Sequence, residues 1–134
     1  YWWAERAKHV LSIEHDKTWF ELAKEKLLSN QSLVLATGAE QYVQAGTGKK
    51  FDIVIIDGEH RHQCAMMVKN MLSENGMVLL DNSDWYPDTA RYLREDMDLI
   101  QIDFHGFGPI NNYTWTTSLF FTRGIKIKKK APAI

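Results

Sequence analysis

The segment 51–57, Phe-Asp-Ile-Val-Ile-Ile-Asp, constrains this chain more than any other. Its middle is an unbroken β-branched run, which suits a strand and crowds a helix. A short strand that is apolar at successive positions predicts cover on both faces, as in a parallel sheet with helices above and below. The run ends in an acid followed by Gly58, which places a carboxylate at the exit of a buried strand.

The rest of the chain repeats the alternation of strand and helix, so the expected class is α/β with a mostly parallel sheet. Residues 1–8 read as the end of a helix and 9–14 as a short apolar strand ending in Glu14. Asp16 is placed to cap a helix over 17–29, with an inward stripe of Trp19, Phe20, Ala23 and Leu27. A second strand is expected over 32–36 and a short helix over 40–45. A helix over 61–73 would bury Cys64, Met67, Val68, Met71 and Leu72, with Met66 also as core filler, and Asn75-Gly76 would stop it. Strand 77–80 follows, then a helix begun by Pro87 with Ala90, Leu93 and Met97 inward. No helix fits between 99–104 and 113–122, so these two strands should form an antiparallel hairpin.

Composition adds limits. The 134 residues allow one domain, expected over 1–123 with a solvated basic tail over 124–134. A net charge of −1 gives no electrostatic case for nucleic acid or membrane binding. Cys64 is the only cysteine, so no internal disulfide forms. No apolar run is long enough for a bilayer and no targeting pattern opens the chain, from which a cytoplasmic protein is expected.

A parallel α/β sheet that finishes in an antiparallel hairpin resembles the class I, S-adenosylmethionine (SAM)-dependent methyltransferases. The resemblance covers 1–123 and implies a Rossmann-like, doubly wound sheet with strands in the order 3-2-1-4-5-7-6. Segments 9–14, 32–36, 51–57 and 77–80 would be its second, third, fourth and fifth strands, and the hairpin its last two. The first strand and its glycine-rich loop have no counterpart here. On this reading they precede Tyr1 and need on the order of 25 more residues.

The resemblance also implies site residues. Glu14 would accept the ribose hydroxyls of SAM. Gly38, Ala39 and Glu40 (or Gln41) would border the adenine, with the glycine admitting a close approach. Asp57 would border the cofactor and serve catalysis. Asp57, Asp81 and Asn82 end neighbouring strands, and their oxygens suit Mg²⁺ or another hard divalent ion. That spacing resembles the cation-dependent O-methyltransferases, which have an Asp after the fourth strand and an Asp-Asn pair after the fifth. His60 would take the proton of a small-molecule hydroxyl acceptor that the metal acidifies, with His62 competing for the role. Trp85 and Phe107 lie in loops where either acceptor contacts or core cover are open to them. Three other readings stay open: a metal-free methyltransferase, a degenerate domain that binds a partner, and a nicotinamide enzyme, which the terminal hairpin and Asp81-Asn82 disfavour.

Overall fold

The structure, a computed structural model, describes residues 2–108 and 111–126. The expected tail falls mostly outside them, as do Pro109 and Ile110 of the hairpin loop. The chain forms two compact units, Tyr1–Gly48 and Lys49–Ile134. Among the described residues no helix is long and apolar enough to cross a membrane.

The first unit holds strands β1 (Val10–Glu14) and β2 (Gln31–Leu35), paired in parallel with Glu14 opposite Leu35. Helix α1 (Lys17–Lys24) connects them, and α2 (Ala39–Gln44) follows β2. Asp16 caps α1, its Oδ1 accepting the Trp19 N–H at 2.9 Å. This satisfies one of the orphan donors at a helix start. Two expectations fail here. Residues 2–6 form turns, with Arg6 N–H donating to the Trp3 carbonyl, and do not make a helix. So short a piece meets the nucleation cost without enough propagating bonds to offset it. Helix α1 is also shorter than expected and buries nothing: Trp19 and Leu27 are exposed. Its apolar stripe is real in sequence but has no cover.

The second unit is a four-stranded sheet in the order β3-β4-β6-β5, made of β3 (Phe51–Ile56), β4 (Leu72–Leu80), β5 (Ile100–Phe107) and β6 (Thr114–Phe121). β3 and β4 are parallel; β4–β6 and β5–β6 are antiparallel. Each sheet by itself reproduces the expected pairings: the second strand with the third in the first unit, and the fourth with the fifth and the hairpin in the second. Helix α3 (Arg61–Met71) links β3 to β4. Helix α4 (Pro87–Arg91) continues as a π-helical turn, Tyr92–Asp96.

The core of this unit lies on one face of the sheet. Val54, Ile56, Val78, Leu80 and Phe120 share it by strand alternation, and Ala65, Val68, Ala90 and Leu93 close it from the helices. The inward places of Ala90, Leu93 and Met97 match the sequence reading. Met66 does not: it is 52 % exposed. Helix α3 stops at Met71, earlier than expected, because Leu72 is already extended and pairs with Phe51. Gly76 is the contact point of the irregular stretch that follows, since a Cβ there would lie 2.7 Å from Leu72 Cδ1.

The opposite face overturns the prediction of a strand covered on both sides. Ile53 and Ile55 of β3 are 37 % and 40 % exposed, and Ile100, Ile102 and Phe104 of β5 are exposed with them. The register puts Ile53, Met77, Phe121 and Ile100 in one row across the sheet, and Ile55, Leu79, Leu119 and Ile102 in the next. This is a continuous apolar surface with all the unit's helices on the other side.

Candidate active site

In the first unit the parallel pair brings the ends of β1 and β2 side by side. Glu14 Oε1 accepts the N–H groups of His15 and Asp16, each at 2.8 Å. The carboxylate therefore ties down the turn that starts α1 while standing at the carboxyl edge of the sheet. Gly38 precedes α2 with extended backbone, and a Cβ added there would meet nothing within 4 Å. The space above Gly38 is thus open, as a backbone approach by a flat ligand requires. Ala39 opens α2, and Glu40 accepts from Gln44 at 3.3 Å on its exposed side. The rings of His15 and Tyr42 meet edge to face at 6.0 Å, so the loops after β1 and β2 adjoin.

In the second unit Asp57 leaves β3 and Asp81 leaves β4, and the register Ile56 to Leu80 makes those exits neighbours. The Asp81 N–H donates to the Ile56 carbonyl at 3.1 Å, which extends the ladder to the exit itself. Partial desolvation of a carboxyl that is still largely exposed, and after it the charge of Asp81, hold Asp57 above its ordinary value, while Arg61 acts the other way. The two carboxyl groups also lie within hydrogen-bonding reach of each other, which raises Asp57 further. Asn82 takes the left-handed backbone (φ 50°), which asparagine tolerates better than most side chains. Its Oδ1 turns to Arg61.

Arg61 is the residue that reading the sequence missed. Its Nε donates to the Gly58 carbonyl at 3.0 Å, and Nη1 donates to the Asp81 carbonyl and, at 3.1 Å, to Asn82 Oδ1. Nη2 stands 3.4 Å from Asp57 Oδ1, and the guanidinium carbon sits 4.7 Å over the Tyr86 ring. Asp81 Oδ1 accepts from the hydroxyl of Thr117, another residue without a sequence signal. The convergence expected of Asp57, Asp81 and Asn82 is present. Their availability as three metal donors is not: at least one oxygen of each already has a protein donor. Among the described residues no group of three or more His, Cys, Asp and Glu side chains could hold a metal.

His60 precedes α3 in the left-handed conformation (φ 53°), three residues after Asp57. Such backbone costs a bulky side chain on the order of 1 kcal/mol and is often kept near functional sites. His62 is otherwise employed. Its Nδ1 lies 3.2 Å from Thr89 Oγ1 and its ring packs against Tyr92, which joins α3 to α4. Trp85 and Phe107 do not cover core, being 56 % and 74 % exposed. Trp85 instead joins an aromatic row with Tyr113 (6.2 Å) and, through it, Trp115 (5.8 Å). The turn that carries Trp85 also carries Tyr86, so this row and the Arg61 cluster share a support. A polar cavity of about 400 Å³ lies along the same turn, bordered by Ser83, Asp84, Arg94 and Asp103, and does not include Asp57 or Asp81.

No protein-family model matches this chain, and no curated protein matches it in sequence. Solved structures do match in shape. A spermidine synthase from Thermotoga maritima is 20 % identical over 89 % of this chain and 46 % of its own, with a TM-score of 0.64. A methyltransferase from Pyrococcus furiosus is 17 % identical over 85 % and 62 %, with a TM-score of 0.61. A Streptococcus mutans protein in complex with SAH is 13 % identical over 86 % and 77 %, also at 0.61. The chain thus spans about half the length of the synthase and somewhat more of the methyltransferase. What it shares with them is the fold, a Rossmann-like α/β arrangement.

Proposed function

We propose that this chain carries the working edge of a SAM-dependent methyltransferase that methylates a hydroxyl group of a small molecule. The observation that supports this best is the carboxyl pair Asp57–Asp81 at the exits of two parallel strands, in a fold otherwise found with SAH bound. Ligands in open α/β sheets bind at that edge.

The cofactor would supply an activated methyl group, and the chain's task is then positioning and proton removal. Glu14 would accept the ribose hydroxyls. Gly38 and Ala39 leave room for the adenine, and Glu40 stands beside them. A hydroxyl acceptor would hydrogen-bond to Asp57, whose raised pKa makes it a stronger base than an ordinary aspartate. Asp81 keeps that proton affinity high by its charge, and His60, on the same turn, is the alternative base. The aromatic row at Trp85 would border the acceptor.

Metal assistance is not part of this reading. One oxygen of each residue that would ligate Mg²⁺ is engaged by Arg61 or Thr117, so no step is derived through an ion. A second reading has one observation in its favour. A spermidine synthase shares the fold, and paired carboxylates also suit an ammonium group, so an amine acceptor competes with a hydroxyl.

The test uses the full-length protein with labelled SAM, binding measured first and transfer second, over phenols, sugars and aliphatic amines, with and without chelator. Glu14→Ala should lower SAM affinity by ~1.5–3 kcal/mol, the usual worth of hydrogen bonds to a charged group. Asp57→Asn should lower turnover more than binding. No SAM binding by the folded protein would sink the proposal. Transfer only to amines would select the second reading, and full loss of transfer in chelator would restore the metal.

A further inference from the structure

We propose that Arg61 is the resident cation of the Asp57–Asp81–Asn82 cluster, filling with its guanidinium the place that the resemblance assigns to a divalent ion. Three features of the site support this independently of which group the protein transfers.

The first is position. Arg61 is the first residue of α3, where the helix dipole disfavours a cation and no acidic side chain of the first turn offsets it. An arginine kept at the wrong end of a helix needs negative partners elsewhere, and these are the strand exits. The second is coverage. All three guanidinium nitrogens have oxygen partners, drawn from Gly58 and Asp57 after β3 and from Asp81 and Asn82 after β4. One planar fork therefore spans both exits, adding hydrogen bonds to the positive charge it brings. The third is burial. The Arg61 side chain is 11 % exposed and stacked on Tyr86, whereas Asp57 remains 60 % exposed. The cation is fixed and the carboxylate on its outer side stays reachable. A second cation on the same oxygens would meet the guanidinium as a like charge. Arg61 is thus a positioning residue: it sets where Asp57 and Asn82 stand without itself facing the solvent side.

The experiment is Mn²⁺ titration followed by the paramagnetic signal of the free ion, together with thermal unfolding, on the wild type and on Arg61→Gln, Arg61→Lys and Asp81→Asn. The wild type should show no stoichiometric site at millimolar Mn²⁺. Arg61→Gln, which loses the charge and shortens the side chain, should bind one Mn²⁺ at least about tenfold more tightly than the wild type, because two carboxyl groups and an amide oxygen then lack a counter-charge. Arg61→Lys should stay folded and bind no ion, since the charge is kept. Mere structural importance of Arg61 would lower stability without creating metal affinity. A wild type that binds one Mn²⁺ and loses it in Asp81→Asn overturns the inference. So does a folded Arg61→Gln with no gain. If Arg61→Gln does not fold, Arg61→Lys decides: a folded, ion-free protein supports the resident cation, and one that unfolds or binds Mn²⁺ refutes it.

Discussion

Ser118 offers a sharp test of how the second unit is held together. It sits on the inner face of β6, fully buried, opposite Leu80 on one side and Asp103 on the other. Its hydroxyl donates to Asp103 Oδ1 at 2.5 Å and meets Ser83 Oγ at 2.6 Å. Ser118→Ala removes that link but strands nothing completely. Ser83 keeps the Thr116 carbonyl at 3.1 Å, and Asp103 keeps the Gln101 amide at 2.7 Å. The cost is therefore close to that of one hydrogen bond to a charged group, about 1.5–3 kcal/mol. Asp103 faces solvent, which screens it, so the low end, ~1.5 kcal/mol, is expected. The loss depends on pH. Ser118 first, and Gln101 after it, hold the Asp103 carboxyl below its ordinary value. A depressed folded pKa contributes stability above the unfolded value, about 3.9, and that contribution is lost as pH falls through the folded value. Urea unfolding followed by tryptophan fluorescence should show a gap between wild type and variant at neutral pH. The gap should narrow as pH falls below about 4. A gap that is absent at neutral pH, or flat into the acid range, refutes the reasoning.

Asp81→Asn should let the Asp57 pKa fall back toward its ordinary value, because Asp81 raises it by charge and by hydrogen bonding; carboxyl-carbon NMR titration reads this, and an unmoved Asp57 would deny the pairing. Asp16→Ala should cost about 1 kcal/mol, the usual value for a lost helix cap, seen as weaker amide protection in the first turn of α1. Cys64 should react slowly with a disulfide reagent at neutral pH, since burial pushes its thiol above the usual value; reaction at the rate of a free thiol would contradict that. The chain of residues 1–134 should self-associate through the apolar face of Ile53, Ile55, Ile100, Ile102 and Phe104, and Ile55→Thr with Ile102→Thr should reduce this in sedimentation. A monomer at high concentration would remove that surface from consideration.

How much of this was legible depends on what each signal measures. The alternation of strand and helix and the closing hairpin were legible in the chain's own pattern, whereas the strand order came from the resemblance. The inward places of Ala90, Leu93 and Met97 follow from local helical spacing. Exposure of Ile53 and Ile55 does not, because an apolar run records that a strand can be covered and not what covers it. Trp19 of α1 and Leu27, just beyond its end, fail for the same reason. The site divides along the same line. Asp57, Asp81 and Asn82 were placed by their positions at strand exits, which sequence spacing fixes. Thr117 was not, because its partner Asp81 lies 36 positions earlier and no local pattern links them. Arg61 lies between these cases. It is four residues after Asp57, an ordinary i,i+4 surface pair on paper. Its unusual feature is polarity: a cation in the first turn of a helix, against the dipole. A cation so placed is a stronger pointer to an anionic pocket than the acids themselves, since acids at strand exits have several structural uses, whereas an arginine there is unfavourable until something negative receives it.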